Sequence, residues 1–195
     1  RDFCLSRGLG DVYKRQKSFI DNPLIGSTRL NRLGLHAARV RAAHAMAEWR
    51  RAGLAAHVRP EDRGAFDRDG VVEIRDFLPP DQFQQLREEL LSFCGTARET
   101  VQGDTITRRI AIDPHLQRAA PSVSHFVQHH RWRSLARYVA GFDIEPLLYL
   151  QSILPNRHDA PPDPQLQFHA DTFHPAMKAW LFLNDVPIDQ GPFAY

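Results

Sequence analysis

His169 and Asp171 stand one residue apart in the stretch QFHADTFHP, residues 167–175. In an extended strand, side chains two positions apart project from the same face. An imidazole and a carboxylate placed side by side can grip one divalent metal ion. They supply two corners of the two-histidine, one-carboxylate set that leaves positions open on ferrous iron for a cosubstrate and oxygen. A short strand cannot wrap a metal alone, so a further histidine is expected from a distant strand. His174 is the nearby rival, but its place in a loop before Pro175 suits a lid or substrate-side residue better. In a chain with 10 histidines the His-x-Asp spacing alone is unspecific. Its surroundings add to it. Phe168, the proline-rich PNRHDAPPDP upstream and the apolar AWLFLNDV downstream are what a buried site at a barrel mouth requires.

The elements that must position this pair can be read outward from it. Residues 166–171 and 177–184 read as strands, the second followed by a turn at DQG. PLLYLQSIL, residues 146–154, reads as a strand with Gln151 on the same face as Tyr149 and Ile153. TITRRIAI, residues 105–112, has period-two, β-branched character, so Arg108 and Arg109 face opposite ways. VVEIRDF, residues 71–77, is a further β-rich run, broken by Pro79-Pro80. Asp81 then caps a helix, with Gln84 three residues on, a buried stripe of Phe83, Leu86, Leu90 and Phe93, and an end at Gly95. A second helical section runs from about Ser122 to Ala140 and stops at Gly141. His129 and His130 read as surface or packing residues within it, and Cys94 as a small core residue.

The N-terminal part differs in texture. Residues 29–51 read as one helix, capped by Thr28 or Ser27 and stopped at Gly53, with Leu30, Leu33, Ala37, Val40, Ala43 and Ala47 near one stripe. Six arginines against Glu48 make this a candidate surface for phosphate or anionic lipid; the bland alternative is a solvated helix packed on its alanines. Residues 59–70 form a polar junction whose helical piece ends at Gly70. Helices followed by closely spaced strands, without GxGxxG, P-loop or GxSxG, argue against a doubly wound sheet. The predicted class is mainly β with α, a jelly-roll or sandwich core behind N-terminal helices.

The first sixteen residues, RDFCLSRGLGDVYKRQ, have no helical or strand period and no signal-peptide layout. They resemble a translated DNA-sequencing adapter, since DVYKRQ reads back as GAT GTG TAT AAG AGA CAG. Set aside as non-native, they remove four basic and two acidic residues. Twenty-one of each sign remain, and the formal charge falls from +2 to zero. That weakens any inference from a basic chain to nucleic acid. Cys94 is then the sole cysteine, which fits a reducing, cytoplasmic setting. No apolar run is long enough to span a bilayer. The domain reading is therefore residues 17–67 as a helical extension and 68–195 as the core domain.

GVVEIRDFLPPDQFQQLREEL, FHADTFHPAMKAWLFLNDVPIDQGPFAY and their separation resemble the phytanoyl-CoA dioxygenase family of Fe(II)/2-oxoglutarate-dependent oxygenases, over roughly residues 66–195. The resemblance implies a cupin-like double-stranded β-helix core, with His169 and Asp171 as catalytic metal ligands. Trp180 matches a tryptophan beside the cosubstrate, and Arg108 falls near a lysine that contacts 2-oxoglutarate. Gln151 is a candidate contact from its strand position. The family's distal histidine and its 2-oxoglutarate arginine correspond to positions past Tyr195. On that reading the chain is a C-terminally truncated fragment, itself expected to bind iron weakly, turn over little and expose an unpaired sheet edge. The implied reaction hydroxylates an unactivated C–H of a small organic substrate with O2, while 2-oxoglutarate is decarboxylated to succinate. No nucleic-acid partner is expected. Two other classes stay open: a non-catalytic jelly-roll binding domain, and a nucleic-acid or membrane module using the basic helix 29–51.

Overall fold

Ser27 opens the first helix, its Oγ accepting the N–H of Leu30 at 3.3 Å. The computed structural model describes residues 19–156, 159–169, 172–190 and 192–194. The adapter-like segment 1–16 and Asp171 lie outside the described residues. Helix α1 (Thr28–Arg32) ends where Gly34 takes a φ of 98°, and α2 (Leu35–Leu54) starts beyond it. The single helix expected over 29–51 is thus two, because a left-handed glycine interrupts the ladder. Gly53 stays helical instead of stopping α2, which tightens into a 3-10 turn at Ala55–His57. Helix α3 (Pro60–Asp69) has proline in its first turn, Glu61 and Asp62 at its positive end, and Gly70 at φ 72° as its C-cap.

Helix α4 (Pro80–Ser92) supplies the core. Leu86 and Leu90 are buried and Phe83 and Phe93 pack beside them, as the stripe predicted. Asp81 sits in the first turn rather than at the cap, which Pro79 occupies without a side-chain hydrogen bond. The helix stops at Ser92, before Gly95, because Phe93 turns extended and lays its ring on the core. Two short elements follow that sequence reading missed: strand β1 (Arg98–Gln102) and, after β2 (Thr105–Ala111), helix α5 (Pro114–Ala119). The signal for α5 was present as Asp113-Pro114, since Asp113 Oδ1 accepts the N–H of Leu116 at 2.9 Å. The helical section after Ser122 is also two pieces, α6 (Pro121–Gln128) and α7 (His130–Ala140), separated by extended His129. Leu78, Leu86, Leu90, Leu116, Ala120 and Val123 form the buried centre between these helices.

Strands β1, β2 and β3 (Tyr149–Pro155) make an antiparallel sheet in that order. Ile110 pairs with Leu150, and both pack against the helical core, so this face is covered. Three expected strands are corrected. Residues 71–77 pair with nothing; a turn with Asp76 at φ 48° leads from them to the core residues Phe77 and Leu78. Described residues of 166–171 and 177–184 form no ladder: Leu166 ends a 3-10 turn, and bends interrupt the rest at Gln167, Leu183 and Asn184. Leu181 and Leu183 are held instead by packing on the core, while Arg87 donates to Leu183 O and Asn184 Oδ1, each at 2.9 Å. Among the described residues helix therefore exceeds strand, and the expected mainly-β balance is not seen.

Charged contacts tie the helices together. Asp62 of α3 is buried, and Arg131 of α7 grips it through two hydrogen bonds of 2.7 and 2.8 Å. Arg51 of α2 donates to Tyr138 O (3.1 Å) and Val139 O (2.9 Å), satisfying the last carbonyls of α7. Gly141 closes that helix at φ 61°, and a Cβ there would lie 2.9 Å from Ala47 Cβ. Burial raises the Tyr138 phenol above its ordinary range, and its 2.8 Å bond to Asp67 adds to the effect. Burial also pushes the Glu89 carboxyl up. Donors from the Ser122 hydroxyl and N–H, with Gln85, outweigh it and leave Glu89 below the usual carboxylate range.

Removing one partner of a buried ion pair strands the other, so Asp62→Ala is expected to lower stability by roughly 3 kcal/mol. Urea unfolding reads this directly, and a parent-like midpoint would show that the pair carries no such weight. Glu89 has a depressed folded-state pKa, so its contribution is present above the unfolded carboxyl range and fades as pH falls through the lower folded value. A Glu89→Gln variant should lose that part of the acid sensitivity, seen as a flatter melting temperature between about pH 5 and pH 3.

Candidate active site

His169 is exposed, outside any helix or strand, and its Nδ1 lies 2.7 Å from the carbonyl oxygen of Gln167. A carbonyl only accepts, so Nδ1 carries the proton in this contact. That is the tautomer in which a metal-binding imidazole is usually held, with its other nitrogen donating to a carbonyl or carboxylate. Because Asp171 falls outside the described residues, its position relative to His169 is not part of this geometry.

The sheet sorts the cosubstrate candidates by face. Cross-strand partners share a face, and Arg109 pairs with Gln151, whose Oε1 accepts from Arg109 Nε at 2.7 Å. Tyr149, Ile153, Thr107 and Thr105 lie on this same side. It is the side opposite Ile110 and Leu150, which pack on the helical core; Tyr149 and Ile153 on it are exposed, while Thr107 is buried. Arg108 points the other way and binds Glu99 at 2.7 Å. Arg108 and Gln151 thus cannot line one site beside the sheet. The phase that the sequence left open is set by which residues meet the helical core.

The segment leading to His169 docks on the Gln151 face. Thr105 Oγ1 donates to Asp163 Oδ2, and Gln165 Nε2 donates to Gln102 Oε1 at 2.6 Å. Trp180 is half exposed and tilted against Phe193, with ring centroids 4.5 Å apart. Its neighbour Leu181 faces the core, so Trp180 is not a core aromatic. His174 donates its backbone N–H to Thr172 Oγ1, while the adjacent Phe173 packs edge-on against His36 of α2.

Other chemistry-bearing groups lie apart. Cys94 is exposed, not a core residue, since Phe93 takes the inward position. His129 packs 5.1 Å from Phe77, and its buried Nδ1 has no hydrogen-bond partner among the described residues. Three arginines of the basic helix are engaged in the fold: Arg39 over Phe19, Arg50 over Phe142, and Arg51 over Phe66. Among the described residues no group of three His, Cys, Asp or Glu could hold a metal, and no helix is long and apolar enough to cross a membrane.

A family model described as Phytanoyl-CoA dioxygenase (PhyH) matches residues 66–195. That span is about two thirds of the chain, and the chain belongs to the phytanoyl-CoA dioxygenase family. The family is one of Fe(II)/2-oxoglutarate-dependent oxygenases. Searches of curated proteins and of solved structures gave no match.

Proposed function

We propose that residues 68–195 form the metal-binding side of an Fe(II)/2-oxoglutarate-dependent dioxygenase domain. The reaction is R–H + 2-oxoglutarate + O2 → R–OH + succinate + CO2, with R–H a small organic substrate. The family match carries this reading, supported by the proton on His169 Nδ1. His169 and Asp171 are the proposed ligands. They would hold ferrous iron, which supplies open positions for chelation by the 2-oxo acid and for oxygen. The donor types fit that ion.

The chain's own groups then divide the remaining work. Gln151 and Arg109, on one face of the sheet, are placed to receive the 2-oxoglutarate carboxylate, with Trp180 as an apolar wall. We assign Arg109 this role in place of Arg108, which lies on the opposite face and is bound to Glu99. The Gln151 face is read as the inner wall of a double-stranded β-helix. A single cysteine outside the first sixteen residues supports a cytoplasmic setting.

Anaerobic Fe(II) retention by the 195-residue chain tests the ligand assignment. His169→Ala and Asp171→Ala should each lower affinity by about tenfold or more; retention equal to the parent in both variants would remove the proposed site. Arg109→Ala should weaken retention of 2-oxoglutarate with the metal, and Arg108→Ala should leave it unchanged. The reverse pattern would place the cosubstrate on the opposite face and overturn the face assignment.

A further inference from the structure

Between β3 and His169 the chain crosses the proline-rich stretch, and both ends of that crossing are fastened to one place. The place is the tip of the β1–β2 hairpin, Gln102 to Thr105. Asn156 N–H donates to Asp104 O at 2.7 Å, and Asn156 Nδ2 donates to Gly103 O at 3.0 Å. On the far side Asp163 N–H donates to Asp104 Oδ1 at 3.0 Å, and Thr105 Oγ1 donates to Asp163 Oδ2. Asp163 is one of three buried polar or charged residues among those described, at 8% exposure. A carboxylate taken out of water needs its hydrogen bonds, and the hairpin tip supplies one.

The contact is also steric. Gly103 has φ 56°, the positive value that the first central residue of a two-residue hairpin turn demands. A Cβ there would lie 2.3 Å from Pro161 O and 2.9 Å from Asp163 N. Glycine is therefore needed both by the turn and by the segment pressed against it.

From Asp163 the order passes directly toward the imidazole. Asp163 Oδ1 accepts the N–H of Gln165 at 2.8 Å and caps the 3-10 turn Pro164–Leu166. That turn closes with Leu166 N–H on Asp163 O (3.0 Å) and Gln167 N–H on Pro164 O (3.3 Å). Gln167 then offers the carbonyl that accepts from His169 Nδ1 at 2.7 Å. Each link fixes the next. We propose that Thr105 and Asp163 form a positioning clamp, by which the hairpin tip sets the orientation and tautomer of His169. The clamp rests on the reading of His169 as a metal ligand, but its residues do not touch the metal.

Two measurements on the full chain test it. Metal-free hydrogen exchange should speed up at amides 163–167 in Thr105→Val and in Gly103→Ala, with helices α4 and α6 unchanged, and Thr105→Ser should restore the parent pattern. Mn(II) binding, followed by its electron paramagnetic resonance signal, should weaken about tenfold in Thr105→Val and recover in Thr105→Ser. Parent-like exchange in Thr105→Val overturns the clamp. Loosened amides with parent-like Mn(II) affinity overturn its positioning role, provided His169→Ala loses the ion. If His169→Ala binds Mn(II) as the parent does, the ligand reading falls instead, and the exchange result alone decides whether the clamp exists.

Discussion

A strand has only two faces, and in this sheet the helices have taken one of them. Ile110 and Leu150 meet the cluster around Leu86 and Leu116, and that contact fixes the phase of every other residue on β2 and β3. A one-residue slip would send Arg109 and Gln151 into the helical core and turn both apolar partners to solvent. The burial of two modest side chains thus decides which polar groups can face a site. It also explains why two adjacent arginines have different surroundings, one paired with Glu99 and the other with Gln151.

The helical layer that enforces this phase is held by guanidinium groups as much as by apolar packing. Arg131 reaches Asp62, Arg51 caps the end of α7, and Arg87 fixes the backbone at Leu183. A guanidinium spreads several donors in a planar fork, so one side chain can satisfy carbonyls or a carboxylate on an element far away in sequence. An arginine-rich stretch that looks in sequence like an anion-binding surface is in part a set of internal braces.

Local rules were legible where one element decides its own form. Ser27 and Asp113-Pro114 mark helix starts, Gly70 and Gly141 mark ends, and the Leu86–Leu90 stripe follows from spacing alone. The breaks at Gly34 and His129 were missed because the helical pattern reads through them; only the backbone angles separate the pieces. Strands at 71–77 and 166–171 were over-read for a different reason. Alternation and β-branching show that a segment suits a ladder, not that a partner lies beside it. Residue type and spacing singled out His169 and Gln151 as candidates, while which of Arg108 and Arg109 lies beside Gln151 needed the sheet's phase.

The fold and the site also rest on different kinds of contact, and this bears on how the site can respond. Leu86, Leu116 and Val123 are fully enclosed, so the helical core changes little without wholesale unfolding. His169 is exposed, and on its N-terminal side it is linked to that core through the hairpin tip, a buried carboxylate and a 3-10 turn. Hydrogen bonds of this sort contribute about 1 kcal/mol each, much less than burying a leucine in a close-packed centre. Local opening should therefore begin at residues 163–169 while the helices stay closed. With His169 as the metal ligand proposed above, metal affinity would depend on how often the turn is already formed, and the hairpin tip would become part of the site's energetics.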